Sequence, residues 1–94
     1  MTDRTLQLRP LAQADIDAIL AYLCAEGGPR LAGKFAQLLE DALRTLATHP
    51  AIGSRRYADL LGIPGLRSWP INQSAYLIFY VDDAGQLDIW RVLH

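Results

Sequence analysis

Ninety-four residues make one domain's length of chain, and a net charge of −1 excludes the broad basic face of a direct nucleic-acid binder. The one cysteine, Cys24, excludes an internal disulfide, and no Cys/His spacing matches a metal site, so neither metal nor cofactor is expected. No apolar run approaches the ~20 residues of a membrane span, and the polar start Met1-Thr2-Asp3-Arg4 has no signal-peptide core, which makes a reducing cytoplasm the expected compartment.

Thr5-Leu6-Gln7-Leu8-Arg9 alternates with period two and predicts a half-buried strand. Pro10 ends it and opens a helix, where its missing N–H would have no partner anyway. Ile16, Ile19, Leu20 and Leu23 recur at i, i+3, i+4 and i+7, one helical face. Asp15 and Asp17 lie early in that helix, where the dipole favours negative charge. Cys24, between Leu23 and Ala25, is expected to be a buried small hydrophobe. Gly27-Gly28 stops the helix and Pro29 starts a second, whose stripe is Leu31, Phe35, Leu39, Ala42, Leu43 and Leu46. Pro50 forces His49 out of the α region and ends it near residue 48. So short a link predicts an antiparallel helical hairpin.

Residues 51–65 carry Gly53, Gly62, Pro64 and Gly65 and predict an ordered loop, in which Arg55-Arg56 is a solvated basic pair, with a phosphate contact as the alternative. Strands are predicted at 66–71, 75–81 and 86–94, with Pro70 arguing for an edge or a bulge. Asn72-Gln73-Ser74 and Asp82-Asp83-Ala84-Gly85 are the turns between them. The reading is a single α+β domain over 1–94 with the order β-α-α-β-β-β, an antiparallel sheet carrying the helical hairpin on one face.

The strands are apolar on both sides. Tyr76, Ile78 and Tyr80 oppose Leu77, Phe79 and Val81, and Leu87, Ile89 and Leu93 oppose Trp90 and Val92. A sheet with one wet face alternates more cleanly. With the chain 51% hydrophobic and only ~60–65% of the surface of so short a chain buried, the second face is expected to meet a protein partner. The simpler alternative is that residues 51–65 fold over it.

Three motifs together resemble the ParE/RelE superfamily of bacterial toxin–antitoxin systems. They are His49-Pro50-Ala51-Ile52-Gly53, Leu66-Arg67-Ser68-Trp69-Pro70-Ile71 followed by Tyr76-Leu77-Ile78-Phe79-Tyr80, and Ile89-Trp90-Arg91-Val92-Leu93-His94. The likeness spans residues 5–94 and is greater to the ParE-like branch. It implies a toxin neutralised by a ParD-like ribbon-helix-helix antitoxin, in a hetero-oligomer that meets operator DNA only through the antitoxin. It also implies DNA gyrase as the target, with replication as the process blocked. ParE-like chains usually continue past the strand-ending His with a short basic stretch, which this sequence lacks; if the natural protein carries one, toxicity of these 94 residues is expected to fall while antitoxin binding persists.

The alternatives are a RelE-like ribosome-dependent messenger-RNA endonuclease and a non-toxic remnant that still binds antitoxin. Cleavage through the 2′-hydroxyl needs an acid, a base and cations for the phosphorane charge. RelE-like nucleases carry an Arg directly after the Tyr that matches Tyr76; here that residue is Leu77. The expectation is therefore a non-enzymatic toxin with no catalytic residues. Its candidate target- or antitoxin-binding residues are Arg67, Trp69, Tyr76, Ile78, Tyr80, Trp90, Arg91 and His94. For Arg67 the alternative is a fold-stabilising pair with Asp59 or Asp88. For Arg91 an internal ion pair is the stronger reading, for the two tryptophans a core position, and for His94 a frayed end.

Overall fold

The computed structural model describes residues 3–94. Strand β1 (Thr5–Leu8) leads into helix α1 (Pro10–Thr48), with Pro10 in its first turn. A straight helix of 39 residues would be about 58 Å long, yet the longest dimension of the molecule is 38 Å. The helix turns back at Gly28, whose φ of 81° and ψ of −179° fall in a region that essentially only glycine occupies. The two predicted helices are thus two limbs, 10–27 and 29–48, meeting at one residue without an intervening loop. Gly28→Ala, strained at that φ, is expected to lower stability by about 1–3 kcal/mol in a urea titration.

A short helix, α2 (Arg56–Leu61), then precedes β2 (Arg67–Pro70), β3 (Leu77–Asp83) and β4 (Gln86–Leu93). The sheet order is β1-β4-β3-β2, antiparallel except for the parallel pair β1–β4. Ala84 and Gly85, with φ of 49° and 84°, form the two-residue turn between β3 and β4 and have the positive φ values that a type I′ hairpin requires.

Both limbs of α1 set their apolar stripes on one side of the sheet. Ile16, Ile19, Phe35, Leu39 and Leu46 meet Ile78, Tyr80, Leu87, Ile89 and Val92 there in one buried cluster. Val92 is a correction to the sequence reading, which placed it with Trp90 on the opposite face. The pairing of β3 with β4 shifts between Phe79 and Tyr80, which face Arg91 and Ile89. Trp90 is the extra residue of this β-bulge, and past it the alternation reverses, turning Val92 inward.

Three further expectations change. Strand β1 is exposed along its whole length, with Leu6 at 41% and Leu8 at 38%, because it is an edge strand. Cys24 is exposed: it lies in the last turn before the break at Gly28, at the tip of the hairpin beyond the buried Ile16 and Ile19. The segment 51–65 is a folded element. Ser54 and Ser68 exchange backbone hydrogen bonds of 2.8 and 2.9 Å, Ala58 and Leu66 are buried, and Tyr57 packs edge-on against Phe79 at 5.3 Å. This segment covers the β2 side of the second sheet face, so the chain itself supplies part of the cover that the sequence reading assigned to a partner.

Candidate binding surfaces

The predicted residues fall into three clusters with different work. The first is built on the pairing of Arg67 with Tyr80 across β2 and β3, which sets both side chains on the helix-facing side of the sheet. The Tyr80 hydroxyl donates to the carbonyl of Pro50 at 2.7 Å and accepts the Gly53 N–H at 3.0 Å. Arg67 donates from Nη1 to the carbonyls of Ala51 and Gly53 at 3.0 and 2.9 Å. Neither Asp59 nor Asp88 pairs with it, so its fold-stabilising contacts are with backbone oxygens. Burial pushes the Tyr80 phenol above its usual range, keeping it a neutral donor. The motif 49–53 is therefore the backbone that a tyrosine and an arginine hold in place. Ile78 and Tyr80 have no exposed surface. They face the helices from a central strand, so a partner reaches them only through the fold they support.

The second cluster fixes the far half of β4. β1 ends at Leu8, leaving Trp90–Leu93 without a neighbour on that side. Asp15, on the first limb of α1, fills the gap. Its Oδ2 accepts the Val92 N–H at 3.0 Å and Arg91 Nε at 2.7 Å, and its Oδ1 accepts Arg91 Nη2 at 2.9 Å. The Arg91 hydrogen bond, with the Val92 N–H in support, holds the Asp15 carboxyl below the usual carboxylate range against the opposing effect of burial. A depressed folded-state pKa means that this contribution is complete above pH ~4, the unfolded value. It is lost as pH falls through the folded-state pKa. Asp15→Asn is expected to cost about 1–3 kcal/mol at pH 7 and to flatten the loss of stability below pH 4, measured by urea titrations at stepped pH.

Trp90 lies beside this pair on the outer face. The Arg9 guanidinium sits 4.2 Å from its ring centre, a cation–π contact. Arg9 and the Trp90 indole N–H all donate to Asp88 Oδ2, at 2.8 to 3.2 Å. This covers the β1 side of the second face as Tyr57 covers the β2 side. Leu77, Phe79 and Val81 remain half-buried between them.

The third cluster is an open groove at the tip of the hairpin. Tyr76 packs edge-on between Phe35 at 5.4 Å and His94 at 5.3 Å. His94, exposed, is thereby in ring contact with the body of the fold. Tyr22, Leu31 and Lys34 complete the walls around a cavity of about 290 Å³. Trp69 is half-buried against the core over a second depression of about 270 Å³, which it lines with Thr45 and with Leu38, a residue common to both. Sequence reasoning found Tyr76 and His94 but not Tyr22, Leu31 and Lys34. Leu31 read as core stripe, and its 39% exposure follows from its place one turn past the break.

Among the described residues no group of three or more His, Cys, Asp or Glu could hold a metal ion, and no helix is long and apolar enough to cross a membrane. The geometry defines an α+β scaffold that carries apolar grooves and, in Arg4–Asp82, Arg9–Asp88 and Arg91–Asp15, ion pairs between elements.

The family model described as "ParE toxin of type II toxin-antitoxin system, parDE" matches residues 6–94, and the chain belongs to that family. A chain from the solved structure "Chromosomal ParDE TA system from P. aeruginosa" superposes with a TM-score of 0.80 at 20% identity, over 97% of this chain and 95% of that one, a match of fold. No curated protein matches.

Proposed function

We propose that this chain is a toxin that works by binding protein, inside the cell that makes it. In this reading it inhibits DNA gyrase, and so replication, and is held inactive by a ParD-like ribbon-helix-helix antitoxin encoded beside it. The observation that carries the reading is membership of the ParE toxin family over residues 6–94. The commitment of the cations near the sheet supports the non-enzymatic part. Arg67 is spent on loop carbonyls, Arg91 on Asp15 and Arg9 on Asp88. A ribonuclease needs free cations at the phosphorane and an acid–base pair worth ~10²–10⁴-fold. The position after Tyr76 offers Leu77 for the first of these. Contact with operator DNA passes through the antitoxin, in keeping with the net charge of −1.

The test uses purified chain in two assays. Gyrase supercoiling is expected to be inhibited and to recover when antitoxin is added in excess. Primer extension on messenger RNA in translating ribosomes is expected to show no new ends. Cleavage positioned at the ribosomal A site, with supercoiling untouched, would move the protein to the nuclease reading.

A further inference from the structure

We infer that the outer side of α2 is the surface that meets the inhibited target, with Arg55 and Arg56 taken by carboxylates of that protein and Leu60 and Leu61 seated in an apolar recess beside them. This rests on the reading above that the chain inhibits gyrase by binding it, and adds the surface and the chemistry of its counterpart.

The segment that carries this face is anchored from beneath. Tyr57 packs on Phe79, Ala58 is buried, and Ser54 and Ser68 exchange backbone hydrogen bonds. Gly62, in the left-handed region at φ 66°, ends the helix. With Tyr57 and Ala58 turned to the sheet, Arg56 and Leu60 stand one turn apart on the open side. Leu60 is 67% exposed, and Leu61 at 59% and Ile52 at 45% lie in the same short segment. Apolar side chains gathered in this way mark an interaction surface, where single ones do not.

The charges choose the sign of the counterpart. Four of the nine lysines and arginines hold neither a carboxylate nor a carbonyl among the described residues, and Arg55 and Arg56 are two of them. Asp59 is the one acid in residues 51–65, and no ion pair joins it to either arginine. The Arg56 guanidinium lies instead 5.7 Å from the centre of the Tyr57 ring, and that ring is fixed against Phe79. Stacked in this way, Arg56 keeps its N–H fork for a partner and loses little freedom when one arrives. A carboxylate matches that fork, and so would a phosphate. Leu60 and Leu61 decide between them: a phosphate backbone offers them no apolar contact, whereas a protein surface with carboxylates around an apolar recess satisfies both kinds of side chain.

This face is separate from the groove at the hairpin tip. Tyr57 lies on the side of the sheet turned away from the helices, because Phe79 alternates with the buried Ile78 and Tyr80. The groove is walled by α1. Substitutions on α2 therefore separate target inhibition from antitoxin binding.

The experiment measures gyrase supercoiling against rising concentrations of the purified full chain, and antitoxin affinity by calorimetry for the same samples. Arg56→Glu and Leu60→Asp are each expected to raise the concentration needed for half inhibition about tenfold or more. Arg56→Glu is also expected to flatten the loss of inhibition that salt causes in the unmodified chain. Antitoxin affinity is expected to stay within about twofold in both variants, which also shows that the fold is kept. Glu40→Lys, an equal change of charge on the second limb of α1, is the control and is expected to inhibit as the unmodified chain does. Undiminished inhibition by both α2 variants would overturn this surface and leave the gyrase reading standing. Antitoxin affinity lost together with inhibition, in variants whose thermal melts are unchanged, would assign the surface to the antitoxin instead. Binding of a DNA duplex without gyrase, abolished by Arg56→Glu, would replace the carboxylates with phosphates. No inhibition by the unmodified chain would overturn both the surface and the gyrase reading.

Discussion

Replacing Gly53 with alanine lowers stability by about 1–3 kcal/mol or more, the range for overpacking a filled site. The reason is specific to one atom pair. A Cβ at this position runs into the Tyr80 hydroxyl and lies 2.8 Å from the ring carbon Cε1. Neither neighbour can retreat, because Tyr80 is fully buried in a central strand and its hydroxyl is bonded to both Pro50 and Gly53. Tyr80→Phe alone costs about 1–3 kcal/mol, since it leaves the Gly53 N–H without its acceptor and the Pro50 carbonyl without its donor. The double variant is less damaged than the sum, because removing the hydroxyl removes the closest part of the clash. Relief stays partial, as the ring carbons remain. Urea denaturation of the two single variants and the pair measures the coupling. Strict additivity would show that the clamp on residues 50–53 does not act through the hydroxyl.

Adding antitoxin raises the melting temperature by on the order of 15–30 °C. Linkage gives ~4 kcal/mol when free partner stands a thousandfold above its dissociation constant. Each kcal/mol moves the midpoint of a domain this size by ~4–8 °C. The chain alone has little margin. Its edge strand β1 is exposed throughout, and Leu11, Tyr22, Leu60 and Leu61 are all more than half exposed. Differential scanning calorimetry with stepped antitoxin checks this. An unmoved midpoint means that the partner does not bind the folded state.

The elements with strong local patterns were legible in the sequence. The i, i+3, i+4, i+7 stripe from Ile16 and the Gly-Gly-Pro break give the hairpin because helix phase is a local property. The order β-α-α-β-β-β follows from turn residues and alternation, and the family resemblance follows from three short motifs. The parts that were not legible depend on partners far along the chain. Nothing near Val92 signals the bulge at Trp90, because a register shift is set by the opposing strand. Asp15 and Arg91 are separated by 76 positions. Arg67 meets backbone carbonyls, and a carbonyl leaves no mark in the sequence, whereas Asp59 and Asp88 are visible there as acidic partners that the fold does not bring to it. Helix α2 has six residues, too few for a periodic stripe to stand out from the glycines and proline around it. The groove was half visible: Tyr76 and His94 carry family motifs, whereas the exposure of Tyr22 and Leu31 depends on how far the hairpin tip projects past the sheet.

The same geometry changes what a substitution at Arg67 reports. Removing the guanidinium frees the carbonyls of Ala51 and Gly53, so a loss of function in Arg67→Ala mixes a loosened loop with any lost contact. Arg56 and Leu60, both exposed, carry no such load and are the cleaner probes of binding.

The central claim is that the chain is a binding-type toxin under antitoxin control, and induction in growing cells tests it most directly. Cultures expressing the chain alone and the chain with its neighbouring antitoxin are followed for growth, DNA synthesis and messenger-RNA integrity. The account predicts arrest with the chain alone, DNA synthesis stopping first while messenger RNA stays intact, and full relief by the antitoxin. Arrest with cleaved messenger RNA, or arrest that the antitoxin leaves unchanged, would contradict it.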